Sequence, residues 1–139
     1  MYTAKFGNEF HHVLIELQEY ETPPFKTSDD IEWINALVEI RVPGFLGQLN
    51  PNLDIPTMKS FIQELRHLNN TLVGQAQLNP IEDQIALTLK AETGGHIHVT
   101  GKALSSDRNN KLLFDFEIDQ TFLTAPMAEL EAFLREFPI

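Results

Sequence analysis

The sequence predicts an α+β domain built on a curved antiparallel sheet of about seven or eight strands, with two helices packed on one face. The first observation is the stretch 111–119, where apolar side chains at even positions alternate with mostly charged side chains at odd positions. This period of two is typical of an antiparallel strand with one face on a core and the other in water. The second observation is that 56–70 and 124–137 repeat apolar residues at helical spacing. A chain of 139 residues with 42% hydrophobic content suits one domain over 1–139.

The first third of the chain predicts strands joined by turns. The segment 32–42 alternates apolar and polar side chains throughout, and Pro43 and Gly44 then predict a tight turn into a hairpin partner. The proline-containing stretch 21–30, which ends in Asp29 and Asp30, predicts a loop. The strands predicted here are 1–6, 12–20, 32–42 and 45–50.

Asp54 and Pro56 predict the start of the first helix, because aspartate caps an N-terminus and proline fits a first turn. Asn69 and Asn70 are expected to end it. The residues of its apolar stripe, which should lie in the core, are Met58, Phe61, Ile62, Leu65 and Leu68.

Four sequential strands are predicted next, joined by short turns rich in glycine and asparagine, and a meander is the simplest topology for them. These strands are 72–78, 84–91, 96–103 and the acidic stretch from 111. Thr124 is then expected to cap the closing helix. The apolar face of that helix is predicted to be Met127, Leu130, Leu134 and Phe137.

Because both helices should cover one face of the sheet, the other face is expected to be open to water. The open face of the meander is predicted to carry Gln75, Gln77, Thr88, Lys90, His98, Thr100, Lys102, Asp115, Glu117 and Asp119. Cross-strand pairing with Lys90 or Lys102 would offset repulsion among the carboxylates. Trp33 and Leu37 lie on the polar side of the strand 32–42, where they are either covered by a loop or part of a binding patch.

The charge of the chain limits the classes of partner. Twenty acidic and ten basic side chains give a formal net charge of −10. This balance argues against a nucleic-acid partner and against docking on an anionic membrane, since both need a basic surface. It suits a basic protein partner, although acidity that serves only solubility is an equally open explanation.

No pattern in the sequence indicates a known chemistry. The chain has no cysteine, no apolar N-terminal signal and no run of membrane-spanning length, so a cytoplasmic protein is expected. His96 and His98 share a strand face, but a zinc site needs three or four ligands, so no metal or other cofactor is expected. The three carboxylates of the acidic stretch are more simply a solvated face than a catalytic pair, and we expect no enzyme.

Several segments together resemble one family. They are Trp33-Ile34, Pro43-Gly44-Phe45, the stretch Gly95-His96-Ile97-His98-Val99-Thr100-Gly101, Asp119-Gln120-Thr121-Phe122-Leu123 and the closing 130–139. In combination they resemble the WapI-type immunity proteins, small bacterial proteins encoded beside contact-dependent toxins. The resemblance implies an antiparallel sheet with two helices, and a role in binding and neutralising a toxin, plausibly a nuclease. It implies no catalytic residues.

The resemblance and the charge together suggest an acidic surface that occludes a basic toxin domain. The candidate recognition residues are Asp115, Glu117 and Asp119, which we call the acidic row, with Glu16 beside them and Asp29 and Asp30 as an alternative surface. The chain itself is expected to be a monomer or a weak homodimer. A second hypothesis is a scaffold protein that self-associates through a free sheet edge or through Trp33 and Leu37. A third is an enzyme with a pocket around His98.

Overall fold

The computed structural model describes residues 1–17 and 24–136. These residues form two α-helices and ten strands, and the strands lie in two antiparallel sheets. The strands of the first sheet are β1 (Tyr2–Gly7), β2 (His12–Leu17), β3 (Phe25–Lys26), β4 (Glu32–Val42), β5 (Phe45–Leu49) and β6 (Asn52–Asp54). The second sheet contains β7 (Gln75–Leu78), β8 (Ile85–Ala91), β9 (His96–Leu104) and β10 (Lys111–Asp119). The helices are α1 (Ile55–Thr71) and α2 (Thr124–Glu136).

The predicted α+β class is confirmed, but ten strands in two sheets replace the predicted single sheet of seven or eight. The reason for the second sheet is α1, which separates β6 from β7 and carries the chain from one sheet to the other. The two shortest strands, β3 and β6, pair with the first residues of β4, because β2 and β5 pair only with its later residues. The end of the predicted strand 12–20 and the beginning of the loop 21–30 lie outside the described residues.

The predicted meander is confirmed, with the strand order β10-β9-β8-β7 and β10 at one edge. Its register places Phe114 opposite Gly101 and Glu117 opposite His98. The Phe114 ring packs across Gly101, where a Cβ atom would overlap both that ring and the carbonyl oxygen of Ala86. Close packing therefore requires a glycine at this position of β9. The Phe114 ring packed across it belongs to β10, whose other face carries the acidic row.

Asp54 connects α1 to the second sheet. As predicted it caps the helix, since Oδ2 accepts a hydrogen bond from the Thr57 backbone N–H at 3.0 Å. Oδ1 accepts from the Ile81 backbone N–H, in the loop between β7 and β8, at 2.8 Å. The Thr57 hydroxyl also donates to Oδ2, so both oxygens of the buried carboxylate are hydrogen-bonded and Asp54 fixes where the helix begins relative to that loop.

Both helices bury the faces that their spacing predicts. All five residues of the predicted α1 stripe are buried, and Leu72 ends the helix in the left-handed conformation with φ of 55°. Leu130 of α2 is buried and Met127 and Leu134 are partly buried, while the predicted Phe137 lies outside the described residues. Phe133 is fully buried as well, with its ring 5.6 Å from that of Tyr2 in an edge-on contact. Neither described helix has the length and apolar character needed to span a bilayer.

His12 is a buried polar side chain in the core of the first sheet. Its Nδ1 lies 2.7 Å from the backbone oxygen of Asn8, and its Nε2 lies 2.8 Å from Oε2 of Glu39. The hydrogen bond from His12, followed by the one from Gln48, lowers the pKa of Glu39 below its usual value. Through these two contacts, His12 links the turn before β2 to Glu39 on β4.

Candidate functional site

The acidic row lies on the outer face of the second sheet, as its alternation predicts. Phe114, Phe116 and Ile118 are buried on the core side of β10, whereas Asp115, Glu117 and Asp119 are exposed. The Asp115 side chain is 69% exposed. Carboxylates at every second position of an edge strand are open to a protein partner without any rearrangement of the backbone.

Asp115 has a counterion within the sheet. His98 lies with Nε2 2.5 Å from Oδ1 of Asp115 and with Nδ1 3.5 Å from Oε1 of Glu92. The hydrogen bond to Asp115 raises the pKa of His98, opposed by the desolvation of the half-buried ring and assisted by Glu92. Because each ring nitrogen faces a carboxylate, which only accepts hydrogen bonds, the arrangement favours the imidazolium and compensates part of the charge of Asp115.

Asp119 has a structural role besides its exposure. Its Oδ2 accepts hydrogen bonds from the Thr121 backbone N–H at 3.2 Å and from the Thr121 hydroxyl at 2.6 Å. These bonds lower the pKa of Asp119 and cap the short 3₁₀ helix Gln120–Phe122 that leads into α2. Glu117 makes no ion pair or hydrogen bond with the described residues, which leaves it as the carboxylate of the row most available to a partner.

Lys102, one of the two lysines considered as counterions for the row, pairs with a carboxylate outside it. Lys102 Nζ lies 3.8 Å from Oδ2 of Asp83, and Arg108 donates to Oδ1 of the same carboxylate at 2.7 Å. The Arg108 hydrogen bond is the main cause of the lowered pKa of Asp83. Lys102 and Arg108 are therefore directed to the loop between β7 and β8, whereas His98 contacts Asp115 of the row.

The other candidate carboxylates belong to the first sheet. Glu16 lies on β2 opposite Thr3 and Leu37, so it does not share a sheet with the acidic row. Asp29 and Asp30 are exposed in the turn between β3 and β4, which is closed by a hydrogen bond from the Asp30 N–H to the Thr27 oxygen. The sequence placed Glu16 beside the row because it could not assign the two strands to separate sheets.

Trp33 and Leu37 do not form an exposed patch. Trp33 is only 7% exposed and Leu37 is half-buried, so of the two alternatives the structure disfavours an exposed binding patch. The Trp33 indole N–H is buried without a hydrogen-bond partner among the described residues. This result removes one of the two surfaces on which the scaffold hypothesis depended.

A cleft that the sequence did not indicate lies between β5 and the connection from β9 to β10. Its volume is about 570 Å³, within the range of pockets that bind small ligands or side chains. The cleft is lined by Phe45, Leu46, Gly47, Gln48, Leu49, Asn50, Gln84, Ala103, Ser105, Ser106, Asn110, Lys111 and Leu112. The signal that could have revealed it is the pair Phe45 and Leu46, two apolar residues directly after a turn where polar residues are usual.

A smaller groove of about 340 Å³ lies beside the first turns of α1 and the end of β7. His98 lines neither this groove nor the cleft. Among residues 1–17 and 24–136, no group of three or more histidine, aspartate or glutamate side chains is arranged to hold a metal ion. Neither of these two cavities therefore places His98 in a pocket.

The family model of the WapI-like immunity proteins matches residues 5–138 of this chain, which is nearly its whole length. The chain belongs to the WapI-like immunity protein family. No curated protein and no solved structure matches it. All six candidate carboxylates and every residue that lines the cleft lie within the matched span of this WapI-like immunity protein.

Two of the segments that carry the family resemblance meet in the folded WapI-like protein. A Cβ atom on Gly95 would lie 3.2 Å from Cδ of Gln120, and Gly95 itself has a φ of 79°. The turn into β9 thus packs against the turn that follows β10, which Asp119 caps. Asp119 therefore has a role in this turn, whereas Asp115 and Glu117 lie within β10.

Proposed function

We propose that this WapI-like immunity protein neutralises a basic toxin domain, a nuclease, by covering its active cleft with the acidic row. The observation that carries the proposal is the exposure of Asp115 and Glu117 on an open sheet face of a chain that belongs to an immunity family. In this role the chain is a binding protein and not an enzyme, and it acts in the cytoplasm of the cell that makes it.

Electrostatics supports this mode of action. A nuclease cleft must attract phosphate groups, so it is basic, and a row of carboxylates about 7 Å apart along a strand presents a comparable series of negative charges. Opposite fields steer two proteins together, with association up to about 10⁸–10⁹ M⁻¹s⁻¹ at low salt against about 10⁵–10⁶ M⁻¹s⁻¹ for neutral pairs. Rapid binding benefits an inhibitor that must reach a toxin before the toxin reaches its substrate.

The free-energy cost of burying a carboxylate when the toxin binds would be different for Asp115 and for Glu117. His98 already compensates Asp115, so that carboxylate keeps a hydrogen-bond partner when a toxin excludes water from the sheet face. Glu117 has no such partner among the described residues, and it gains the most from a cation on the toxin. We therefore assign the direct contact to Glu117 and assistance to Asp115 held by His98.

The proposal is tested with the purified protein encoded by the gene adjacent to that of this chain. We expect the chain to bind this protein in a one-to-one complex and to abolish its toxic activity at equimolar concentration. Isothermal titration calorimetry and a nuclease assay on total RNA and plasmid DNA measure the two effects. The absence of a complex at micromolar concentrations, or a complex that leaves the toxic activity intact, contradicts the proposal.

A further inference from the structure

The cleft runs along a free strand edge. All five residues of β5 line it, although neighbouring residues of a strand direct their side chains to opposite faces. A cavity on one face of β5 would contact only alternate residues, so the cleft lies beside the edge of the strand. Among the described residues β5 pairs with β4 alone, which leaves the backbone groups of its other edge unpaired by the sheet.

Gly47 lines the cleft and lies close to Leu112. A Cβ atom on Gly47 would be in ordinary contact with Cδ2 of Leu112 at 3.4 Å, so a longer side chain there would project into the space between β5 and β10. Leu49, Ala103 and Leu112 provide buried or partly buried apolar walls. At the rim, Phe45 is 64% exposed, and Leu46 beside it is 50% exposed.

The cleft and the acidic row share strand β10. Lys111 and Leu112 line the cleft, and β10 then continues outward to Asp115 and Glu117. The exposed residues of β10 change in character along the strand, from Lys111 and the 68% exposed Leu113 to the carboxylates. No carboxylate lines the cleft itself, so its chemistry suits an apolar side chain flanked by peptide groups, while the row beyond it suits cations.

We propose that the cleft binds an extended segment of the toxin domain, which adds as a strand to the free edge of β5 and places one large apolar side chain beside Gly47. Main-chain hydrogen bonds to a sheet edge provide affinity in this mode, and the pocket provides specificity. The basic residues of the same toxin then contact Asp115 and Glu117. This inference rests on the proposed function, and it assigns fast encounter to the acidic row and slow dissociation to the cleft.

Two variants test the cleft by opposite changes. Gly47→Leu fills it, and the double change Phe45→Ser with Leu46→Ser removes the apolar rim. Ile81→Ser is the matched control, since Ile81 is a similarly exposed aliphatic residue in the loop between β7 and β8. Surface plasmon resonance against the adjacent-gene toxin measures association and dissociation separately. We expect both cleft variants to dissociate about tenfold faster at an unchanged association rate, and the control to match the wild type.

Amide hydrogen exchange gives an independent readout on the wild-type complex. Strand addition should slow exchange in 45–50, and Gly47→Leu should abolish that protection. Wild-type dissociation rates in both cleft variants, without protection of 45–50, overturn the inference while the proposed function stands. A concentration-dependent dimer of the free chain that Gly47→Leu dissolves also overturns it, because a second copy then occupies the cleft. Failure of the wild-type chain to bind the toxin contradicts the proposed function itself.

Discussion

Reversal of the charges of Asp115 and Glu117 in the acidic row should slow association with a basic toxin domain. In the variant Asp115→Lys with Glu117→Lys, each change adds two charges, so the formal net charge rises from −10 to −6. Two unit charges about 8 Å apart in water interact by about 0.5 kcal/mol. Because each reversal converts an attraction into a repulsion of equal size, the double variant loses about 2 kcal/mol of encounter energy, or about thirtyfold in rate at low salt.

Salt and the residues next to the acidic row change the expected slowing of association. At physiological ionic strength the Debye length is about 8 Å, which reduces the electrostatic contribution to roughly a third and the slowing to about fourfold. The pairing of Asp115 with His98 compensates part of one charge, so Glu117→Lys alone should account for more than half of the effect. The dissociation rate should change less than the association rate, as is typical of exposed charges at the edge of an interface.

Stopped-flow mixing at several salt concentrations measures the association rate. The lone tryptophan of this chain, Trp33, is buried, so a dye on the toxin domain should report binding. The matched control is Glu16→Lys with Asp29→Lys, which makes the same change in net charge on the first sheet. Equal slowing by both pairs would refute the assignment of the row, because net charge alone would then explain the rate. An unchanged rate in the row variant would refute electrostatic steering by this face.

Three further predictions concern the fold around these surfaces. Gly101→Ala should lower the free energy of unfolding by about 1–3 kcal/mol, since the new Cβ overlaps the ring packed across it; an unchanged midpoint in urea would contradict this packing. An NMR titration should show the pKa of His98 above its ordinary value, and this pKa should fall in Asp115→Asn. Because the pKa of His98 is raised in the folded state, the His98–Asp115 pair stabilises the fold most below about pH 6.5. This contribution disappears as the pH rises through the folded-state pKa. The pKa of Glu39 is lowered, so its hydrogen bond with His12 stabilises the fold above about pH 4.3, and this stabilisation is lost as the pH falls through the folded-state pKa. The wild type should therefore have a higher melting temperature than Glu39→Gln at pH 6. A difference in melting temperature that persists at pH 2 would contradict this linkage.

The acidic row could be predicted from the sequence because its information is local. Alternation at period two decides which residues of β10 face the core, and the structure places Phe116 and Glu117 on the predicted sides. The α1 stripe was predictable for the same reason, since helical spacing also concerns residues close together in the chain.

Features that depend on pairing between distant segments were not predictable. The hydrogen bond of His98 goes to the diagonal neighbour Asp115, although Glu117 lies directly opposite, so even the register of β9 with β10 would not have predicted this partner. β3 and β6 have two and three residues, too few for a hydrophobic period to be recognised. The cleft is lined by three segments distant in sequence, 45–50, 84 and 103–112, which no local pattern brings together.

Growth of bacteria that express the adjacent-gene toxin is the most direct test of neutralisation by the acidic row. Co-expression of the wild-type chain should restore growth, as should the control in which Glu16 and Asp29 are reversed. The variant with Asp115 and Glu117 reversed should require several-fold higher expression than the wild type for the same growth, because it associates about fourfold more slowly at physiological salt. Equal protection by that variant at every expression level, or loss of protection in the control alone, would contradict the account and place the toxin on the first sheet or elsewhere.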